Sequence, residues 1–223
     1  KICMEHPAPE TAMQWLEQVR SAIPYYGLFV SVLGHFLGAL GYSLLFGCGA
    51  TDMVMSGLCG ILGGLLNRFM DKMKVNPFFE TIFSAFSMAL LAYWLNTHGL
   101  VQNVNSVVIG ALMILVPGLL FTNAMRDIIY GDTNSGITRF VQVLLISMGM
   151  ALGTAVAWNT SDLLWGMPHN LVELSNPLLV TAIGSLIGCI GVSILFNIHG
   201  PGGLLCALGG VVTWVGFVLI QRL

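Results

Sequence analysis

Apolar residues run along this chain in seven stretches, each close to the ~20 residues that a bilayer-crossing helix needs. They are Pro24–Cys48, Gly49–Asn67, Pro77–Leu95, Asn105–Ala124, Gly136–Trp158, Asn176–Ile198 and Gly202–Ile220. Short polar breaks separate them, and they predict membrane spans one to seven. A different rhythm precedes them. Met13, Trp15, Leu16, Val19 and Ile23 recur on one helical face, with Glu17, Gln18 and Arg20 opposite, which predicts an amphipathic cytosolic or interfacial helix leading into the membrane. Residues 1–23 are too polar for the apolar core of a signal peptide.

Composition narrows the class. Of 223 residues, 56% are apolar and only 8% charged, and the mean hydropathy is +0.86; soluble domains carry about 25% charged residues. A soluble enzyme, a disordered chain and a nucleic-acid binder are excluded, and the fold class is an all-α integral membrane protein whose first partner is the lipid bilayer. The five cysteines (3, 48, 59, 189, 206) are dispersed without metal or disulfide spacing, so they read as small packing residues. No metal or cofactor motif is present. Trp94, Trp158 and Trp165 fit an aromatic belt at the outer interface.

The net charge of −2 says less than its placement. Lys1 and Arg20 precede span one. Arg68, Lys72 and Lys74 lie between spans two and three, Arg126 between four and five, and Arg139 at the start of five. Loops 47–52, 96–104 and 159–175 hold no Lys or Arg. Cytoplasmic loops collect basic residues, so the N-terminus is expected in the cytoplasm. Seven of the eight basic residues then lie inside, with Arg222 the exception.

Sliding the sequence against itself by 150 positions reveals a repeat. Val30, Gly34, Gly38, Gly41, Ser43, Leu45, Phe46, Leu58 and Gly60 meet the same residue types at 180, 184, 188, 191, 193, 195, 196, 208 and 210. These nine identities need no gap. The unit begins at span one and recurs at span six. Five spans separate the copies, an odd number, so the second copy enters the membrane from the opposite side. Inverted repeats of this kind are a signature of secondary transporters working by alternating access. The expected organisation is residues 1–23 as the end of a cytosolic domain, 24–158 as a first five-helix half, 159–175 as an external loop and 176–223 as the start of a second half. That second copy has two spans where the first has five, and the tail ends at Arg222-Leu223 without a polar segment, which predicts a fragment. The glycine stripe Gly34, Gly38, Gly41 predicts close helix packing.

Span four contains the most informative stretch. Pro117 removes a helical hydrogen bond and clashes with the Met113 carbonyl, and Gly118 loosens the backbone further. Carbonyls near Met113 and Ile114 are thereby expected to be freed at membrane depth, which is tolerated only against protein or a watery cavity. Freed carbonyls suit an ammonium or another cation, and a helix restarting after the break suits a carboxylate. An amino-acid zwitterion wants both. Thr122 and Asn123, just beyond, could take a hydroxyl or carboxylate. An ordinary proline kink within a bundle is the structural alternative.

The run Pro117-Gly118-Leu119, then Thr122-Asn123-Ala124, Arg126-Asp127, Gly131-Asp132, Ser135-Gly136 and Arg139 resembles the first-half signature of the threonine/serine exporter family. Ser193-Ile-Leu-Phe196-Asn197 and Gly203-Leu-Leu-Cys206-Ala207-Leu-Gly209-Gly210 resemble the opening of that family's second half. The resemblance covers residues 20–223 and implies a fused two-half form truncated at both ends. It implies export of threonine and serine driven by the proton gradient, from a bacterial inner membrane. Some split members resemble exporters of small dicarboxylates such as succinate, which is the alternative substrate class.

Each ionisable residue carries two readings. Asp52, at the outer end of span two, is an N-cap or a proton or substrate group. Glu80, in the first turn of span three, is helix-dipole complementation or a proton relay. His35, within span one, is a packed, hydrogen-bonded histidine or a proton carrier. Arg126 and Asp127 are a terminal basic anchor beside a solvated acid, or a motif residue and a proton-coupling group respectively. Asp132 is a turn residue or a motif residue of the site, and Arg139 snorkels to the inner interface or belongs to the same motif. A membrane enzyme would need a Ser–His or paired-Asp arrangement at one depth. No G-x-S-x-G occurs, and Asp52 and Asp127 fall at opposite faces, so no catalytic residue is assigned. A non-transporting assembly subunit is the remaining class, and a homo-oligomer is open.

Overall fold

The computed structural model describes residues 9–22, 26–166 and 176–221. Lys1, Cys3, the remainder of the expected external loop (167–175) and Arg222 lie outside the described residues. An amphipathic helix α1 (Pro9–Ala22) is followed by α2 (Leu28–Leu45), α3 (Ala50–Lys72) and α4 (Pro77–Thr97). Next come α5 (Val104–Leu112), which continues as a 3-10 turn over Met113–Leu115, and α6 (Gly118–Ile129). Then follow α7 (Thr133–Trp165), α8 (Leu178–Leu195) and α9 (Pro201–Gln221). No strand occurs among the described residues. Among the described residues six helices are long and apolar enough to cross a membrane, and α5 with α6 adds a seventh if the bent pair is one span. The chain is therefore an all-α, multi-pass membrane protein.

Local chemistry sets the helix ends. Asn76 accepts the Phe78 N–H at 2.9 Å, and Pro77 takes the first helical position of α4, where its missing N–H costs nothing. Asn103 opens α5 by accepting from Ser106 at 3.2 Å. Asp132 opens α7 by accepting from Ser135 at 3.3 Å, so it is a helix cap rather than only a turn residue. α2 and α8 end alike. Gly47 (φ 78) and Asn197 (φ 57) take the left-handed conformation at positions 150 apart, the geometry that closes a helix C-terminus.

One boundary differs from expectation. The fifth span was expected to end at Trp158, but α7 continues to Trp165 and is 33 residues long. Its polar residues hold the helix instead of breaking it. Asn159 Nδ2 donates to the Ala155 carbonyl at 2.9 Å and Thr160 Oγ1 to Val156 at 2.7 Å. At 1.5 Å per residue the helix is about 50 Å long, so it exceeds the ~30 Å hydrocarbon layer.

α5 forms the centre of the first five spans, wedged among α2, α3 and α4. Val104, Val107 and Ala111 are fully buried there with Ala39, Cys59, Met88 and Ala92. Ser56 Oγ lies 3.1 Å from the Ala39 carbonyl and 3.2 Å from that of Val107, tying α3 to both neighbours. Large apolar side chains elsewhere point outward, as a lipid-facing surface requires; α9 is the least covered of the six long helices, with Val212 72% exposed.

The most extensive contact joins α2 to α8, and the two run antiparallel. A Cβ on Gly41 would lie 2.2 Å from Gly188 N, and one on Gly191 would lie 2.3 Å from Gly38 N. These two contacts map onto each other under the 150-residue shift. The same shift relates the ends of the pair. Tyr26 reaches the Ile198 carbonyl at 3.4 Å, and Asn176 reaches the Cys48 carbonyl at 3.2 Å. It also relates Gly60, packed on Ala39 and His35, to Gly210, packed on Cys189 and Ser185.

Candidate functional site

The expected break in span four is present, and α5 with its 3-10 turn meets α6 at a bend of 53°. Pro117 (φ −79, ψ 56) is the centre of an inverse γ-turn, closed by Gly118 N–H donating to the Val116 carbonyl at 2.8 Å. The two carbonyls singled out from sequence fare differently. Met113 O accepts the Val116 N–H at 3.4 Å, whereas among the described residues no backbone N–H reaches Ile114 O or Leu115 O. The break thus frees Ile114 and Leu115 carbonyls more fully than Met113. The Ile114 side chain anchors the turn by packing where Gly38 and Gly60 leave room. Past the break, α6 restarts with open space around Gly118. Among the described residues no backbone carbonyl takes the N–H groups of Leu119 or Leu120, so a positive helix end lies beside the Ile114 and Leu115 carbonyls.

Thr122 spends its hydroxyl proton within α6, donating to the Gly118 carbonyl at 2.9 Å. Its oxygen stays available as an acceptor on an exposed face. Asn123 is half-buried, and its amide makes no hydrogen bond among the described residues. On the other side of the break an apolar groove of about 540 Å³ runs past Met113, Val116, Tyr93, Met150 and Trp158.

The α6–α7 hairpin gathers the charged motif residues. Asp127 pairs with Arg139 Nη1 at 3.2 Å and approaches Arg126 Nε at 3.9 Å. Its side chain is only 16% exposed, so it is an enclosed, ion-paired acid rather than a solvated one. Arg139 likewise reaches across the hairpin instead of only snorkelling outward. Gly136 permits this approach, since a Cβ there would lie 2.5 Å from Ile128.

The other candidates sit elsewhere. Asp52 does not cap its helix; Gly49 holds that position, and Asp52 is the third residue of α3. Its buried carboxylate accepts the Gln102 N–H at 2.9 Å and the Asn103 N–H at 3.1 Å, fastening α3 to the entrance of α5. His35 places Nδ1 2.8 Å from the Ser31 carbonyl, and a carbonyl can only accept, so Nδ1 carries the proton. Its ring packs where Gly64 lacks a side chain. Glu80 is half-buried in the first turn of α4. Among the described residues no hydrogen bond or ion pair joins Asp52, His35 or Glu80 to the break.

Sequence reasoning passed over two polar contacts inside the bundle: Ser84 donating to Asn67 between α4 and α3, and Ser106 donating to the Phe46 carbonyl. Isolated serines on apolar helices give no linear signal for either. No group of His, Cys, Asp and Glu among the described residues has the arrangement of a metal site.

A family model for threonine/serine exporters matches residues 1–161. A threonine/serine exporter of Corynebacterium glutamicum is 23% identical over 160 residues, which is 70% of this chain and 33% of that protein. The chain thus spans about a third of the length of the curated relative it matches. No solved structure matches.

Proposed function

The chain belongs to the threonine/serine exporter family, and from that premise we propose that its helices work as a secondary active exporter of threonine, serine and similar small amino acids. The observation that carries this reading is the bent fourth span. Interrupted helices that turn carbonyls and a helix N-terminus toward one point are how membrane transporters hold small charged substrates. Here Ile114 and Leu115 carbonyls, with Met113 beside them, form the acceptor side for an ammonium. The start of α6 at Gly118, with Asn123, forms the donor side for a carboxylate. Thr122 lies within reach of a substrate hydroxyl.

Alternating access is the mechanism this reading favours. The antiparallel α2·α8 crossing, reciprocal under the 150-residue shift, supports an inverted repeat. Two such halves can exchange conformations and present one site to each side in turn. The proton-coupling candidates are Glu80 and Asp127, then His35 and Asp52. Asp127 is the favoured member because it lies on the same helix as the site and its ion pair with Arg139 ties that helix to α7, so its protonation would release α6 from α7. The distribution of Lys and Arg favours a cytoplasmic N-terminus in a bacterial inner membrane.

Pro117→Ala tests the site. It restores a helical donor and removes a residue that costs roughly 3 kcal/mol in a helix interior. Export of threonine from peptide-loaded cells should be lost, while the melting temperature of the purified protein stays level or rises. Full export by this variant would reduce the break to a packing kink. Succinate efflux, measured in parallel, should be absent.

A further inference from the structure

The apolar groove on the far side of the break is not part of the proposed substrate site. It holds about 540 Å³ between α4, α5 and α7, and its lining residues all fall within the continuously described stretch 26–166. Gly149 meets Phe78 and Gly153 meets Ile82, so α7 runs parallel to α4 and fixes the depth of each lining residue. Tyr93 and Trp158 form the shallow end, nearer the Thr97 terminus of α4 at the membrane surface; Met150 and Val116 form the deep end. From Trp158 to Met150 the groove follows α7 for about 12 Å. That is close to the ~15 Å that one leaflet contributes to the ~30 Å hydrocarbon layer.

Three lining side chains carry a nitrogen or oxygen atom, and none is charged. Thr154 spends its hydroxyl proton within α7, donating to the Met150 carbonyl at 2.8 Å. Trp158 is partly exposed and meets Tyr93 edge-on, with ring centroids 5.5 Å apart at 84°. Tyr93 differs from both. It is 4% exposed, yet its hydroxyl makes no hydrogen bond among the described residues. A buried phenol ordinarily finds a partner, and leaving its donor unmet is costly unless an occupant of the groove supplies an acceptor.

We propose that the groove binds one acyl chain of a membrane phospholipid, and that an ester carbonyl of this lipid accepts the Tyr93 hydroxyl. Two features select the occupant. The walls offer hydrocarbon contact without charge, over a length that one chain fills. The single unmet donor lies at the shallow end, on the side where a bilayer carries its ester carbonyls. A second transmembrane helix is the competing occupant, but it spends its carbonyls on its own hydrogen bonds and would leave the hydroxyl unpaired. Met113 and Val116 belong to the deep wall, so the bound chain lies directly against the bend of span four and backs it with hydrocarbon. The site depends neither on the exporter reading nor on which membrane face is cytoplasmic.

Trp158 reports occupancy. The full chain with Trp15, Trp94, Trp165 and Trp214 replaced by Phe keeps it as the one indole. This protein, delipidated in detergent, is titrated with phosphatidylcholine brominated at mid-chain, which quenches a nearby indole. Quenching should saturate at one lipid per chain. Ala151→Leu with Ala155→Leu fills the groove and should abolish the saturable phase. Tyr93→Phe should weaken binding about fivefold, the net worth of one neutral hydrogen bond. Quenching that rises linearly with lipid, equally in the filled variant, means surrounding lipid only and overturns the proposal. Unchanged affinity in Tyr93→Phe overturns it as well. If the single-indole chain does not fold, native mass spectrometry of the natural chain and of its Tyr93→Phe variant decides. One phosphatidylcholine retained by the natural chain and lost more readily from the variant is expected, and equal retention refutes the site. A dimeric chain with an unquenched Trp158 puts a helix of a second copy in the groove and refutes the lipid.

Discussion

Replacing Gly191 by Ala places one methyl group against main chain. Its Cβ would lie 2.3 Å from Gly38 N and 2.7 Å from Gly34 O. Neither atom can rotate away, so α2 and α8 must separate by about an ångström, enough to forfeit a quarter to a half of the dispersion well at each atom pair along the seam. Overpacking of this kind costs about 1–3 kcal/mol. Gly41→Ala makes the corresponding intrusion, 2.2 Å from Gly188 N, and should cost the same. The double variant is the sharper test, because a seam already opened by one methyl accommodates the second. The two costs should add to clearly less than their sum, with a coupling of 0.5 kcal/mol or more. Thermal unfolding of detergent-solubilised protein reads all three, and each single variant should melt several degrees lower. Gly209→Ala, which meets nothing within 4 Å, serves as the control and should be neutral or slightly stabilising. Unchanged melting of the single variants, or strict additivity, would refute the reciprocal crossing.

Three further outcomes are expected. Asp52→Ala removes the acceptor of two buried backbone N–H groups and should destabilise the protein by about 2–4 kcal/mol, seen as a lower melting temperature with or without substrate. Replacing Asp127 by Asn should abolish gradient-driven export yet leave threonine exchange across vesicles measurable, and Glu80→Gln is the second variant to score; full gradient-driven export by both would remove these acids from the coupling scheme. A single cysteine at Thr97, in a background lacking native cysteines, should react with an impermeant thiol reagent added outside intact cells. Labelling only after permeabilisation would reverse the orientation.

How far the sequence was legible depended on the range of each interaction. Span positions follow from apolar runs of bilayer length, a local property, and the break follows from Pro117 and Gly118 alone. The end of α7 was misplaced because Asn159 and Thr160 look like loop residues until their side chains are seen bonding back to Ala155 and Val156. Glycines at 34, 38 and 41 announce a close approach but not its partner; that partner is the glycine row Gly184, Gly188 and Gly191 of α8. Asp52 was the least legible. Its acidity suggested a cap or a proton site, and its bonds reach residues 50 positions away, which no periodicity encodes. Asp127 and Arg139 lie on adjacent helices of a hairpin, yet their pairing depends on how Gly136 lets those helices meet.

The glycine crossing also has a thermal consequence. Joining two helices through side chains freezes rotamers, and that loss of freedom grows with temperature as part of the folding entropy. A seam built from main chain has no rotamers to freeze. In lipid it gains little from water release, so its strength rests on contact distance. Warming should therefore loosen the side-chain seams around α4 and α7 first and leave α2 and α8 joined, a stiff axle that persists while the rest of the bundle softens.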